Sequence, residues 1–240
     1  MKDKINQLLK EIDILNNPYF KHLKDGSFTK EDFLETQMQF YFAVKFFNRP
    51  MTILASKIPT ESLRLEVLHN VWEEHGEGDV KKMHVHTFMA FLRALGAIDD
   101  KVVQEQVLWP EVRIFNTCLV GACALDDYMT GVAMMGIIER MFCDISACIG
   151  QAVIDRGWFT KENIVHYNLH AELDIKHAQD FFTIVEGFYE ASEEHRYHIN
   201  QGLALGATVF YNLYRDLYLK RTRRQNRTFL GAHSRALGVQ

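Results

Sequence analysis

Apolar residues recur along this chain at intervals of three and four, the spacing of a helix face rather than of a strand. Ile5, Leu8, Leu9, Ile12 and Leu15 predict a first helix over 2–15, ended by Asn16-Asn17-Pro18, and Lys24-Asp25-Gly26 predicts a turn. Thr29 with Asp32 three residues on has the pattern of an N-cap, so a helix is expected from 30 to 57. It is rich in rings (Phe33, Phe40, Tyr41, Phe42, Phe46, Phe47), and Pro50 is expected to kink it. Pro59-Thr60-Glu61-Ser62 opens the next helix, which ends near Gly76 and Gly78. Asp79 opens another, closed by Ala94-Leu95-Gly96, and residues 97–108 form a polar connector with a short helical piece. Pro110 fits the first turn of a helix reaching Ala124. Asp126 or Asp127 caps a long apolar helix through Ile154, stopped by Gly157. Thr160-Lys161-Glu162 begins a helix to Tyr189, and Ser192-Glu193-Glu194 caps a last one to Lys220. β-Branched alternation is scarce and only four prolines interrupt the pattern, so the fold class is all-α.

No repeat or linker divides this pattern, so residues 1–220 are read as one helical domain and 221–240 as a basic tail. In 240 residues, 48% hydrophobic content is enough for a sizeable core. The formal charge of −4 gives no reason to expect a nucleic-acid or membrane partner. It is unevenly placed: from Lys220 onward there are six Lys/Arg and no acids, which leaves −10 on the residues before. Six cations without interleaved rings carry little specificity, so the tail reads as a solvated helix end. Cys118, Cys123, Cys143 and Cys148 lie in apolar stretches and, with no signal peptide read, suggest reduced core thiols in a cytoplasmic protein. Their spacing is not Cys-x-x-Cys, which argues against structural zinc. No apolar run approaches the length of a membrane span.

Chemistry enters with His170-Ala171-Glu172-Leu173-Asp174-Ile175-Lys176-His177. On a helix, Asp174 falls roughly 40° from His170 and His177 roughly 20° to the other side, so two imidazoles and a carboxylate share one face. That donor set suits iron, zinc or manganese, and helical bundles build metal sites from such inward-facing residues. Glu139 is embedded in an apolar helix, where a lone carboxylate is costly. It has two readings, a buried pair with an Arg of another helix or a cation ligand; Arg140 itself points about 100° away. Glu73, Glu74 and Glu77 precede His84, which shares a stripe with Met83, Phe88 and Leu92 and is expected to face inward, with His86 outward. His22, His69, His75, His86 and His166 are read as solvated or hydrogen-bonded side chains.

Taken in order, Asn70-x-x-Glu73-Glu74, His84-x-x-x-Phe88-x-x-Phe91-Leu92-x-Ala94-Leu95-Gly96, the isolated Glu139 and His170-x3-Asp174-x2-His177 resemble the haem-oxygenase-like diiron oxidases. Within them the pattern is most similar to the branch of the chlamydial protein associating with death domains. The resemblance covers roughly residues 18 to 190 and implies a seven-helix, haem-oxygenase-like bundle without haem. It implies six metal ligands: a carboxylate from the 70s, His84, Glu139, His170, Asp174 and His177. Counting back seven residues from His84 selects Glu77; counting on from Asn70 selects Glu74, which is the expected ligand. It further implies two iron ions, or a Mn/Fe pair, with O2 as co-substrate and an external reductant or reductase. The substrate would be a small amine, amino acid or fatty acid, and the outcome N-oxygenation, desaturation or carbon–carbon cleavage. One branch is thought to consume its own tyrosine; the matching positions here are Phe20, beside Tyr19, and Ile149, so an external substrate is expected. Lys45 and Arg49 are candidates for holding a substrate carboxylate. A homodimer is expected.

Two other readings compete. A metal-free enzyme on the same fold, like thiaminase II or pyrroloquinoline-quinone synthase, would need an activated thiol in the thiaminase case, and the apolar neighbours of all four cysteines weaken that. A helical interaction protein would rest on the basic tail alone.

Overall fold

The computed structural model describes residues 1–97, 99–160 and 164–221, with side chains throughout except at 165 and 168–173. The described residues form ten α-helices and no strand. In chain order these are α1 (Lys2–Ile12), α2 (Pro18–Asp25), α3 (Lys30–Lys57), α4 (Glu61–Glu74), α5 (His84–Leu95), α6 (Asp100–Gln104), α7 (Pro110–Leu125), α8 (Tyr128–Asp155), α9 (Val165–Tyr189) and α10 (Glu193–Lys220). Single 3-10 turns lie at Ile14–Asn16, Gly76–Gly78 and Val80–Lys82.

The all-α expectation holds, but the helix number is ten rather than seven. The three shortest, α1, α2 and α6, have 11, 8 and 5 residues; without them seven remain. α2 was not anticipated. Pro18 sits at its first position and the Asn17 side chain accepts the Tyr19 N–H at 3.0 Å, so Asn-Asn-Pro starts one helix as well as stopping another. Other caps match expectation: Thr29 Oγ1 accepts the Asp32 N–H at 3.1 Å, Asp127 that of Met129 at 2.8 Å and Ser192 that of His195 at 3.1 Å. α9 is described over Val165–Tyr189; the start expected at Thr160-Lys161-Glu162 falls on residues 161–163, which, like the basic tail beyond Arg221, lie outside the described residues.

α8 is the axis of the bundle. Every residue from Met129 to Glu139 is buried, and a helix apolar all round belongs at the centre. α9 and α10 pack along it, while α3 packs against α4, α5 and α7. Two glycines set the α8–α10 spacing. A Cβ on Gly202 would lie 2.2 Å from the Thr130 carbonyl oxygen, and one on Gly206 would lie 2.6 Å from that of Met134. Only hydrogen fits at either place. All four cysteines are free thiols, with Cys123 and Cys143 buried. Among the described residues, no helix is long and apolar enough to cross a membrane.

Candidate metal centre

α8 carries one acid into the apolar centre. Glu139 is 3% exposed, and its Oε1 has no hydrogen-bond partner among the described residues. Arg140 points outward and pairs with Asp144 at 3.1 Å, so it does not compensate Glu139. α9 runs alongside with Asp174 and His177, both buried. One donor atom from each of Glu139, Asp174 and His177 lies within 4.8 Å of the others. Within α9, His177 Nδ1 is 3.6 Å from Asp174 Oδ1. His170 stands one turn before Asp174 on the same helix, but its side chain lies outside the described residues.

The junction of α4 and α5 supplies the next pair. Glu74 is the last residue of α4 and His84 the first of α5, and Glu74 Oε1 lies 2.8 Å from His84 Nδ1. The chain folds back between them because Gly76 takes φ +66 and presses on the Met83 backbone, where a Cβ would come within 2.6 Å of the nitrogen. Glu77 stands between the two glycines with φ 53, exposed to solvent. Of the two acids that counting left open, the buried one beside His84 is Glu74.

A cavity joins the two groups. Glu74, His84, Glu139 and His166 line it on the polar side, and Phe40, Ala43, Val44, Phe47, Phe115, Ile138, Phe142 and Phe210 complete it. About 40 Å³ admits the centre of a water-sized sphere, room for a few waters or one slender group. Charge knits the site further. Burial first, then the charges of Asp174 and Glu74, push the Glu139 carboxyl well above the usual range. Burial opposes protonation of His84 and of His177. The neighbouring carboxylates, Glu74 for the first and Asp174 for the second, outweigh it and raise both.

Two residues here were not singled out by the sequence. His166, expected to be solvated or hydrogen-bonded, is hydrogen-bonded, with Nδ1 2.9 Å from Thr87 Oγ1, and it is buried at the cavity. Its signal was available, since 166, 170, 174 and 177 continue one helical stripe. Glu73, next to the expected ligand Glu74, has its Oε2 2.8 Å from His177 Nε2 and its Oε1 3.0 Å from Lys176 Nζ. Burial raises the Glu73 carboxyl, but these two partners outweigh it and hold it below the usual range.

Lys45 and Arg49 are exposed, and neither lines the cavity. Phe40, Ala43, Val44 and Phe47 occupy one face of α3, and Lys45 and Arg49 fall on the opposite one. Their charges lie over rings of their own helix instead, Lys45 at 5.9 Å from Tyr41 and Arg49 at 5.4 Å from Phe46.

The helices and their junctions define a haem-oxygenase-like fold. A domain of unknown function with that fold from Shewanella denitrificans superposes with a TM-score of 0.76 at 15% identity, covering 92% of both chains. A CADD-like protein of unknown function from Nostoc punctiforme gives 0.75 at 14% identity over 92% of this chain and 96% of that one. A TenA homologue from Pseudomonas syringae gives 0.70 at 13% identity over 89% and 92%. Residues 34–211 match the iron-containing redox enzymes, and the chain belongs to that family. A 4-aminobenzoate synthase from Chlamydia muridarum is 21% identical over 186 residues, 77% of either chain.

Proposed function

We propose that this chain is a non-haem diiron oxidase or oxygenase that uses O2 to oxidise a small external substrate. The observation that carries the reading is Glu139: a carboxylate oxygen in the apolar centre without a hydrogen-bond partner among the described residues, within 4.8 Å of donors from Asp174 and His177. A buried carboxylate left so is costly, and a cation removes the cost. The nitrogen and oxygen donors suit iron or a Mn/Fe pair. Glu74, His84, Glu139, His170, Asp174 and His177 would hold two ions. Iron held there would supply the redox chemistry needed to use O2.

The protein's own part is to shape the site and wall it with apolar groups. Phe40, Phe115, Phe142 and Phe210 line the cavity beside the donors and make its wall largely apolar. The part of the substrate nearest the donors is therefore an apolar chain or ring. The Chlamydia muridarum relative, by its name, makes a small aromatic amino acid, and a cavity walled by rings suits such a group. The reductant comes from outside the chain. An external substrate is favoured because the positions matched to self-consumption are the buried, apolar Phe20 and Ile149. Lys45 and Arg49, on the far face of α3, have no part in this reading.

The test is anaerobic reconstitution of the metal-free protein with Fe(II), a count of bound iron, and exposure to O2 with candidate amines, amino acids and fatty acids. Two irons per chain and substrate-dependent O2 uptake are expected. No iron uptake would leave the metal-free reading, to which the TenA homologue contributes only a shared fold.

A further inference from the structure

Glu73 belongs to the Asn70-x-x-Glu73-Glu74 run, but the proposed ligand set takes only its neighbour. Resting on the diiron reading above, we infer that Glu73 is a positioning residue: it grips the Nε2–H of His177, so that Nδ1 of that imidazole is the metal donor.

Both ring nitrogens of His177 are engaged, and the residue is only 1% exposed. Nε2 lies 2.8 Å from Glu73 Oε2, while Nδ1 faces Asp174 Oδ1 at 3.6 Å. An ionised carboxylate only accepts, so the proton between Glu73 and His177 is on Nε2. In the neutral ring the lone pair is then on Nδ1, the nitrogen turned toward Asp174. A ligating imidazole whose other N–H is held by a carboxylate is fixed in tautomer and rotation, and its donor strength rises. Glu73 is itself anchored, since its second oxygen accepts from Lys176 at 3.0 Å. Its side chain is 15% exposed, shielded enough for the contact to persist in salt. Consecutive residues on a helix diverge by about 100°. Glu73 therefore reaches His177 on α9 while Glu74 reaches His84 on α5. The last turn of α4 holds one imidazole on each side.

The experiment uses the full chain with ¹⁵N-labelled histidine, loaded with Zn(II) as a diamagnetic probe. His177 is assigned by the resonances lost in His177→Gln. The expected pattern is a proton on Nε2 and a metal-shifted Nδ1. Separately, Glu73→Gln should weaken Zn(II) and Fe(II) binding about 10–100-fold. The number of ions bound at saturation should not change, nor should the melting temperature of the metal-free protein fall in proportion. Lys176→Met, which loosens the anchor of Glu73 but leaves its contact with Nε2, should weaken binding by less than Glu73→Gln does. Metal on Nε2, unchanged affinity in Glu73→Gln, or the loss of one ion per chain in that variant would each overturn the inference. The NMR pattern is read in the wild-type chain, so it stands whether or not Glu73→Gln folds. A wild-type chain that takes up neither metal would overturn the metal centre itself, a separate result.

Discussion

Glu74 Oε1 and His84 Nδ1 lie 2.8 Å apart across a turn that only glycine could make so tight. Glu77, in that turn, faces solvent at φ 53. Glu74→Gln should therefore lower the iron count, whereas Glu77→Gly should leave it unchanged and lose no stability, because it relieves a left-handed residue. Gly76→Ala should cost about 1–3 kcal/mol, since its Cβ strikes the Met83 backbone. Iron titration and urea denaturation of the three variants check this; an iron count halved in Glu77→Gly would reverse the assignment.

Glu139 contributes to the pH dependence of the metal-free protein. Its carboxyl is raised well above the ordinary 4.5, chiefly by burial. The stability tied to its protonated form is complete below that ordinary value. It is lost as pH rises toward the folded one, at about 1.4 kcal/mol per unit. Melting in chelator between pH 4 and 8 should show a decline for wild type. The decline should be shallower for Glu139→Gln, which should also melt higher at neutral pH. Adding Fe(II) should stabilise wild type and leave the variant behind. Equal slopes would remove Glu139 from the account.

Close approach of α10 to α8 predicts a contrast among glycines. Gly202→Ala puts a methyl against the Thr130 carbonyl and should destabilise by about 1–3 kcal/mol. Gly121→Ala, on α7 with open space around it, should be neutral or stabilise by up to about 1 kcal/mol. Denaturant midpoints decide it.

Cavity shape predicts a split between metal and substrate. Ala43→Leu narrows a space that holds only a slender group, and it replaces neither an acid nor an imidazole. Iron uptake should be retained while substrate-dependent O2 consumption falls at least about tenfold. Full turnover in this variant would place the substrate elsewhere.

Thiol chemistry separates the metal-free alternative. Burial pushes the Cys123 and Cys143 thiols up to about 12. Neither should react with iodoacetamide in the folded protein at pH 8. Rapid labelling of Cys143 with loss of activity would instead point to a nucleophilic enzyme.

Periodicity and caps made most helices legible, down to Thr29, Asp127 and Ser192 at their starts. Glu139 was legible too, because an acid in so apolar a helix demands compensation. α2 escaped notice because Asn16-Asn17-Pro18 is a stop signal as readily as a start. His166 and Glu73 escaped because their alternatives, a satisfied imidazole and a surface acid, look the same in one dimension.

Spacing within one helix is geometry that the chain carries with it, so the sequence alone determined an all-helical protein with Asp174 and His177 aimed alike. Relations between helices are not carried that way. Which of Glu73, Glu74 and Glu77 meets an imidazole depends on how α4 turns into α5 and how both lie against α9. That Lys45 and Arg49 fall outside the cavity depends on which face of α3 meets α7 and α8. Those angles come from packing glycines and rings against one another, and only the folded molecule decides them.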